Sequence, residues 1–135
     1  MKYISTRGQT DRKSFSEILL MGLAPDGGLM LPEAYPAVSE TMLDQWRGLS
    51  YRELAFEIIR LFATDIPEAD LRRIIDRTYT EEAFGSADIT PVRTLKDGIK
   101  IQALSNGPTL AFKDMAMQFL GHAFEYVLAR EGKCL

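Results

Sequence analysis

The chain has 135 residues, of which 46% are hydrophobic and 26% charged, with a formal net charge of -3. That length suits one domain, or one domain with part of another, and the balance is ordinary for a globular protein. Interleaved charges without a basic patch argue against nucleic-acid binding, and the longest apolar runs fall far short of a membrane span.

In chain order, Met1-Lys2-Tyr3-Ile4-Ser5-Thr6-Arg7-Gly8 turns polar within a few residues, unlike a signal peptide. Tyr3-Ile4-Ser5 predicts a short strand. Ser14-Phe15-Ser16-Glu17 has capping-box spacing, so a helix should run from Ser14 to Met21 and stop at Gly22. Ala24-Pro25-Asp26-Gly27-Gly28 reads as a turn, and Leu29-Met30-Leu31-Pro32 as a short buried or edge strand. Ser50-Tyr51-Arg52-Glu53 repeats the capping box and opens a helix over 51–63. Pro67 suits a first helical turn, and Leu71, Ile74, Ile75 and Thr78 continue that helix. Glu81-Glu82-Ala83-Phe84 predicts one more short helical turn. Thr90–Leu95 and Ile99–Leu104 read as strands joined at Lys96-Asp97-Gly98, a hairpin signal. Met115, Phe119, Leu120, Ala123, Phe124, Val127 and Leu128 mark a long amphipathic helix over 113–130. Trp46 and the Phe and Met positions at helical spacing are expected in the core.

The expected fold class is therefore α/β, mixed within this chain. A mostly helical unit over 1–88 precedes the start of an α/β domain over 89–135. Lys133-Cys134-Leu135 turns apolar after Glu131-Gly132, as a buried strand would begin, so the chain is expected to be cut inside an αβ unit. The lone cysteine, Cys134, allows no internal disulfide and suits a reducing compartment, with the cytoplasm expected. One cysteine and one histidine, His122, are too few for a structural zinc site.

The candidate catalytic residue is Lys113, at the mouth of the last helix and after Asn106-Gly107-Pro108. The positive end of a helix dipole disfavours an ammonium and favours a neutral amine, the form that a Schiff base requires. Position alone does not separate this from an ordinary solvated lysine. Asp114 either pairs with Lys113 or simply favours the helix start. Ser5-Thr6-Arg7-Gly8 has groups that suit an anion, but a strand end followed by a turn is the preferred reading. Pro25-Asp26-Gly27-Gly28 lacks the Lys-Ser/Thr of a P-loop and reads as structural. Ser105, Asn106 and Thr109 suit turn formation or hydrogen bonds to a ligand equally. Glu17 and Glu53 are expected to be capping partners, and His122 an ordinary helix histidine.

Gly107-Pro108-Thr109-Leu110-Ala111-Phe112-Lys113-Asp114 resembles the cofactor-lysine motif of the threonine synthase family. A second block resembles the same family in order and spacing. It comprises Tyr3–Gly8, Ser14–Glu17, Gly22–Leu29 and Pro32-Glu33. Asn106 stands where many members have a histidine. The resemblance, which covers the whole chain, implies a fold-type-II lyase dependent on pyridoxal 5'-phosphate. Such an enzyme converts O-phospho-L-homoserine and water to L-threonine and phosphate. It implies that Lys113 forms the Schiff base and, once freed by the substrate amine, shuttles protons. Phe112 and Asp114 belong to the motif without an assigned contact. A glycine-rich cradle for the cofactor phosphate is not formed by Gly121 or Gly132. In the family such parts come from segments beyond residue 135, so the chain alone is expected to be inactive. A sister fold-type-II enzyme acting on a related amino acid, and a non-catalytic interaction module, are the other readings.

Overall fold

A computed structural model describes residues 1–133. The strand expected at Lys133-Cys134-Leu135 reaches residues outside the described range. The elements are β1 (Tyr3–Ser5), α1 (Phe15–Met21), β2 (Met30–Pro32), α2 (Glu40–Trp46), α3 (Tyr51–Ile59) and α4 (Glu68–Thr78). They continue with α5 (Glu81–Phe84), β3 (Val92–Thr94), β4 (Lys100–Gln102) and α6 (Asp114–Arg130). Among the described residues no helix is long and apolar enough to cross a membrane. The architecture is mixed α/β, as expected.

Two antiparallel pairs form separate two-stranded sheets. In the first, Tyr3 lies opposite Pro32 and Ser5 opposite Met30, and a bridge between Tyr3 and Lys13 ties in the chain leading to α1. In the second, Val92 lies opposite Gln102 and Thr94 opposite Lys100. The turn between these strands places Asp97 and Gly98 at positive φ, 63° and 76°. Asp and Gly tolerate that conformation best, which is why the sequence signal works. Both strands are three residues long, shorter than expected, and exposed on both faces.

Both capping boxes form. The Ser14 amide donates to Glu17 Oε2 at 2.7 Å, and the Ser50 amide donates to Glu53 Oε2 at 2.7 Å. In return the Glu17 and Glu53 amides donate to the serine hydroxyl oxygens, each at 3.4 Å. Gly22 ends α1 with φ 71°. Helix α3 stops at Ile59, short of the expected residue 63. Leu61 and Phe62 donate instead to the carbonyls three residues back, at 3.2 and 2.9 Å, tightening the chain into turns.

Helix α2 was not expected. Its Ser39 cap receives the Met42 amide at 3.2 Å, but it has no buried residue and so no apolar stripe to read. Trp46, expected in the core, ends this helix half-buried and outside it. Met117, on α6, also lies outside the core and is 53% exposed, and Phe112, just before that helix, is 66% exposed.

The core joins Phe56, Ala63, Ile66, Leu71, Ile74, Ile75, Tyr79, Phe84, Ile89 and Ala123. Helix α4 supplies Leu71, Ile74, Ile75 and Thr78 at helical spacing, and packs against both α3 and α6. Burying a side chain such as Leu71 contributes about 1.5–3 kcal/mol. Thr78 satisfies its buried hydroxyl on the Ile74 carbonyl at 2.7 Å. Helix α6 therefore rests on a packed platform, with Ala123 and Val127 fully buried.

Candidate active site

Helix α6 is fixed at several points along its length. Near its start the Tyr79 hydroxyl donates to the Met115 carbonyl at 2.9 Å. Farther along, the Tyr126 hydroxyl donates to Asp70 Oδ2 at 2.7 Å, and Arg130 donates to the Asp65 carbonyl at 3.1 Å. Burial, with the neighbouring Tyr51 phenol adding to it, keeps the Tyr79 hydroxyl neutral well above its ordinary range. An element anchored in this way carries its first residues rigidly.

Lys113 is the cap residue of α6, with φ -61° and ψ -24°, and its carbonyl accepts from Ala116 and Met117 at 3.0 and 2.8 Å. Its side chain is exposed. Among the described residues its amine has no ion-pair partner. Asp114 does not pair with it. Asp114 is 1% exposed, and its carboxylate accepts from the Thr109 amide at 2.8 Å and the Thr109 hydroxyl at 2.9 Å. The Gln118 amide group adds a weaker donation at 3.4 Å. Desolvation alone would raise this carboxyl, but the donors from Thr109 and Gln118 outweigh it and keep Asp114 below the usual carboxylate range.

The segment leading to Lys113 is shaped by this carboxylate. Gly107 is buried, and a Cβ there would meet Asp114 Oδ2 at 2.7 Å. Leu110 adopts φ 58°, uncommon for a residue with a side chain, and its amide donates to the Gly107 carbonyl at 3.0 Å. Leu110 and Phe112 project outward, 74% and 66% exposed, beside the lysine. Asn106 works from the other side. Its Nδ2 donates to the Ile89 carbonyl at 2.9 Å and also to the Phe84 carbonyl, binding the loop to the end of α5. The sequence offered Asp114 a pairing with Lys113 or a helix-start role, and Asn106 a turn or a ligand, but not these partners. The only local signal was an acid five residues beyond a threonine.

The other candidates resolve as structure. Asp26 organises the first turn: the Ser5 hydroxyl donates to its Oδ1 at 2.7 Å, as does the Gly28 amide at 2.9 Å. The Gln9 amide reaches its Oδ2 at 3.0 Å, while Arg7 donates to its carbonyl at 3.0 Å. Desolvation would raise the Asp26 carboxyl, but these donors hold it down at about 2. Ser5 and Arg7 are thus engaged within the protein. His122 lies on α6 near Glu125, 3.8 Å away, beyond the lysine end.

The groups present suit an aldehyde cofactor in one respect. Lys113 offers an exposed primary amine on a rigid mount. Among the described residues, neither Gly107 nor Gly121 supplies a phosphate cradle. Gly107 is apposed to a carboxylate, and Gly121 lies inside α6. An anion would be repelled from the first and find no free amides at the second.

Fold and site together define an α/β chain with a helical platform and a lysine mounted on its last helix. It belongs to the family described as Threonine synthase N terminus, matched over residues 2–79. A threonine synthase of Methylobacillus glycogenes is 57% identical over 98% of this chain, which spans 30% of that relative. A "Threonine synthase-like 2" of Xenopus laevis is 42% identical over 98% of the chain and 28% of its own length. A crystal structure of pyridoxal-phosphate-bound threonine synthase from Brucella melitensis superposes with a TM-score of 0.92 at 41% identity. That match covers 98% of this chain and 28% of the other. The chain thus spans less than a third of the length of the relatives it matches.

Proposed function

We propose that the chain is the amino-terminal part of an enzyme converting O-phospho-L-homoserine and water to L-threonine and phosphate. Pyridoxal 5'-phosphate would bind covalently through Lys113 Nζ. The observation that carries this reading is an exposed lysine on an anchored helix, in a chain that superposes on a cofactor-bound threonine synthase. When bound, the cofactor supplies an electron sink for carbanion character. Lys113 would hold the cofactor through its Nζ, and the same amine, when free, would carry protons at the reacting carbons. The segment from Gly107 to Asp114 orients it. The division proposed is a helical unit over 1–88 and the start of the cofactor domain over 89–135. The exposed hairpin β3–β4 supports it, because an isolated two-stranded ribbon is marginal without further cover. The cofactor-phosphate and substrate-phosphate donors belong, on this reading, to segments beyond residue 135, and the compartment is the cytoplasm.

The test is release of phosphate and threonine from phosphohomoserine by the full-length protein, abolished by Lys113→Ala. The isolated 135-residue chain should release neither. A sister enzyme on a related amino acid is the second reading. It is favoured by the similarity to a threonine synthase-like protein over the same span. Threonine absent from the products while another amino acid forms would select it.

A further inference from the structure

We infer that Asp114 is a positioning residue for Lys113, acting through Thr109. This rests on the reading of Lys113 as the cofactor lysine. A carboxylate 1% exposed is costly to bury unless it is matched, and among the described residues Asp114 has no cationic partner. It is matched instead by neutral donors, chiefly the amide and hydroxyl of Thr109 at 2.8 and 2.9 Å. A serine at the helix start would cap α6 without burying a charge. What the carboxylate adds is closure of the segment from 109 to 114, with Lys113 as the residue just inside the clasp. The Asp114 amide also donates to the Ala111 carbonyl at 3.0 Å, so both its backbone and its side chain grip the loop. Gly107 leaves the space this clasp occupies, since a Cβ there would lie 2.5 Å from the Asp114 Cβ. Leu110 is held at positive φ inside the same loop. The direction in which the lysine leaves the backbone is therefore set by a closed ring of contacts rather than by a free loop.

The test separates reaction at the amine from binding of the cofactor body. Lys113 Nζ condenses with the cofactor aldehyde, forming a C=N bond and releasing one water. Borohydride then delivers hydride to that carbon while solvent protonates nitrogen, leaving a stable mark on Lys113. The full-length apo-protein is mixed with pyridoxal phosphate, quenched with borohydride over a time course, and mapped by peptide mass. Pyridoxamine phosphate, which has no aldehyde, reports binding alone. Asp114→Asn is expected to slow marking of Lys113 about ten-fold while changing pyridoxamine phosphate affinity by less than about two-fold. Thr109→Val should slow marking in the same direction, and Thr109→Ser should restore it. Equal marking rates in wild type and both Asp114→Asn and Thr109→Val, measured well below their melting temperatures, overturn the inference and leave the Lys113 reading intact. Parallel loss of pyridoxamine phosphate binding also overturns it, because the residue would then shape the cavity generally. Absence of any mark on Lys113 in the wild-type protein overturns both. Should Asp114→Asn fail to fold, the Thr109 pair decides.

Discussion

Asn106 holds two backbone carbonyls at once, those of Phe84 and Ile89, through a single amide nitrogen. Those carbonyls lie on the stretch that leads from the helical platform to the first strand of the hairpin, so Asn106 fastens the lysine loop to the platform. Asn106→Ala should leave both carbonyls without that donor and destabilise the protein by about 1–3 kcal/mol. Asn106→Asp should cost more at neutral pH, because a carboxylate would face two carbonyl oxygens. Urea denaturation of the full-length variants measures both, and equal stability of the aspartate and wild-type forms would contradict the assignment.

Lys113 itself should matter little for the fold. Its side chain is exposed, and it makes no ion pair among the described residues. Lys113→Ala is expected to change stability by no more than about 0.5 kcal/mol. The same variant should lose borohydride marking and threonine formation entirely. A large drop in melting temperature would show that the lysine is structural.

Gly107→Ala should disturb the loop even though alanine is small. The added Cβ would overlap the side chain of Asp114, which is itself buried. A cost of about 1–3 kcal/mol is expected from this overpacking. Gly121→Ala is the control, since a Cβ there meets nothing within 4 Å. It should be neutral or slightly stabilising, as alanine favours helix over glycine. Thermal melts of the two variants should separate clearly.

The Asp26 turn makes stability depend on acid. The folded carboxyl is lowered from 3.8 to about 2. Desolvation opposes that shift, and the donors from Ser5, Gly28 and Gln9 outweigh it. Its contribution is fully present above the unfolded value and is lost as pH falls from about 3.8 through about 2. In that window the unfolded chain binds more protons, so stability rises with pH. Asp26→Asn should flatten this part of the profile, as measured by urea melts at a series of acidic pH values.

Core and cap substitutions calibrate the scale. Leu71→Ala removes a side chain that is 1% exposed and should cost about 2–5 kcal/mol. Ser50→Ala removes the hydroxyl that receives the Glu53 amide and should cost about 1 kcal/mol. Denaturant midpoints should rank the two in that order.

Several features could be read before any coordinate because they depend on neighbours in sequence. Ser14 with Glu17 and Ser50 with Glu53 satisfy each other's amides across one helical turn. Leu71, Ile74, Ile75 and Thr78 share one face because a helix repeats every 3.6 residues or so. Asp97-Gly98 accepts positive φ wherever it occurs. Lys113 is a candidate by position and by family resemblance, both properties of the linear chain. Helix α2 escaped because a helix that buries nothing leaves no periodic mark. The position of Trp46 outside the core and the exposure of Phe112 were equally hidden, since burial depends on what packs nearby.

The sequence by itself determined the two capping boxes, the apolar face of α4, the hairpin turn and the family, and it offered Lys113 as the candidate lysine. Only the tertiary structure decided that Asp114 turns away from Lys113 to clasp Thr109, and that Asn106 reaches back to Phe84 and Ile89. A local pattern can state that an acid follows a lysine. Which donor that acid meets is settled by burial, because a carboxylate removed from water must take the nearest available N–H and O–H groups.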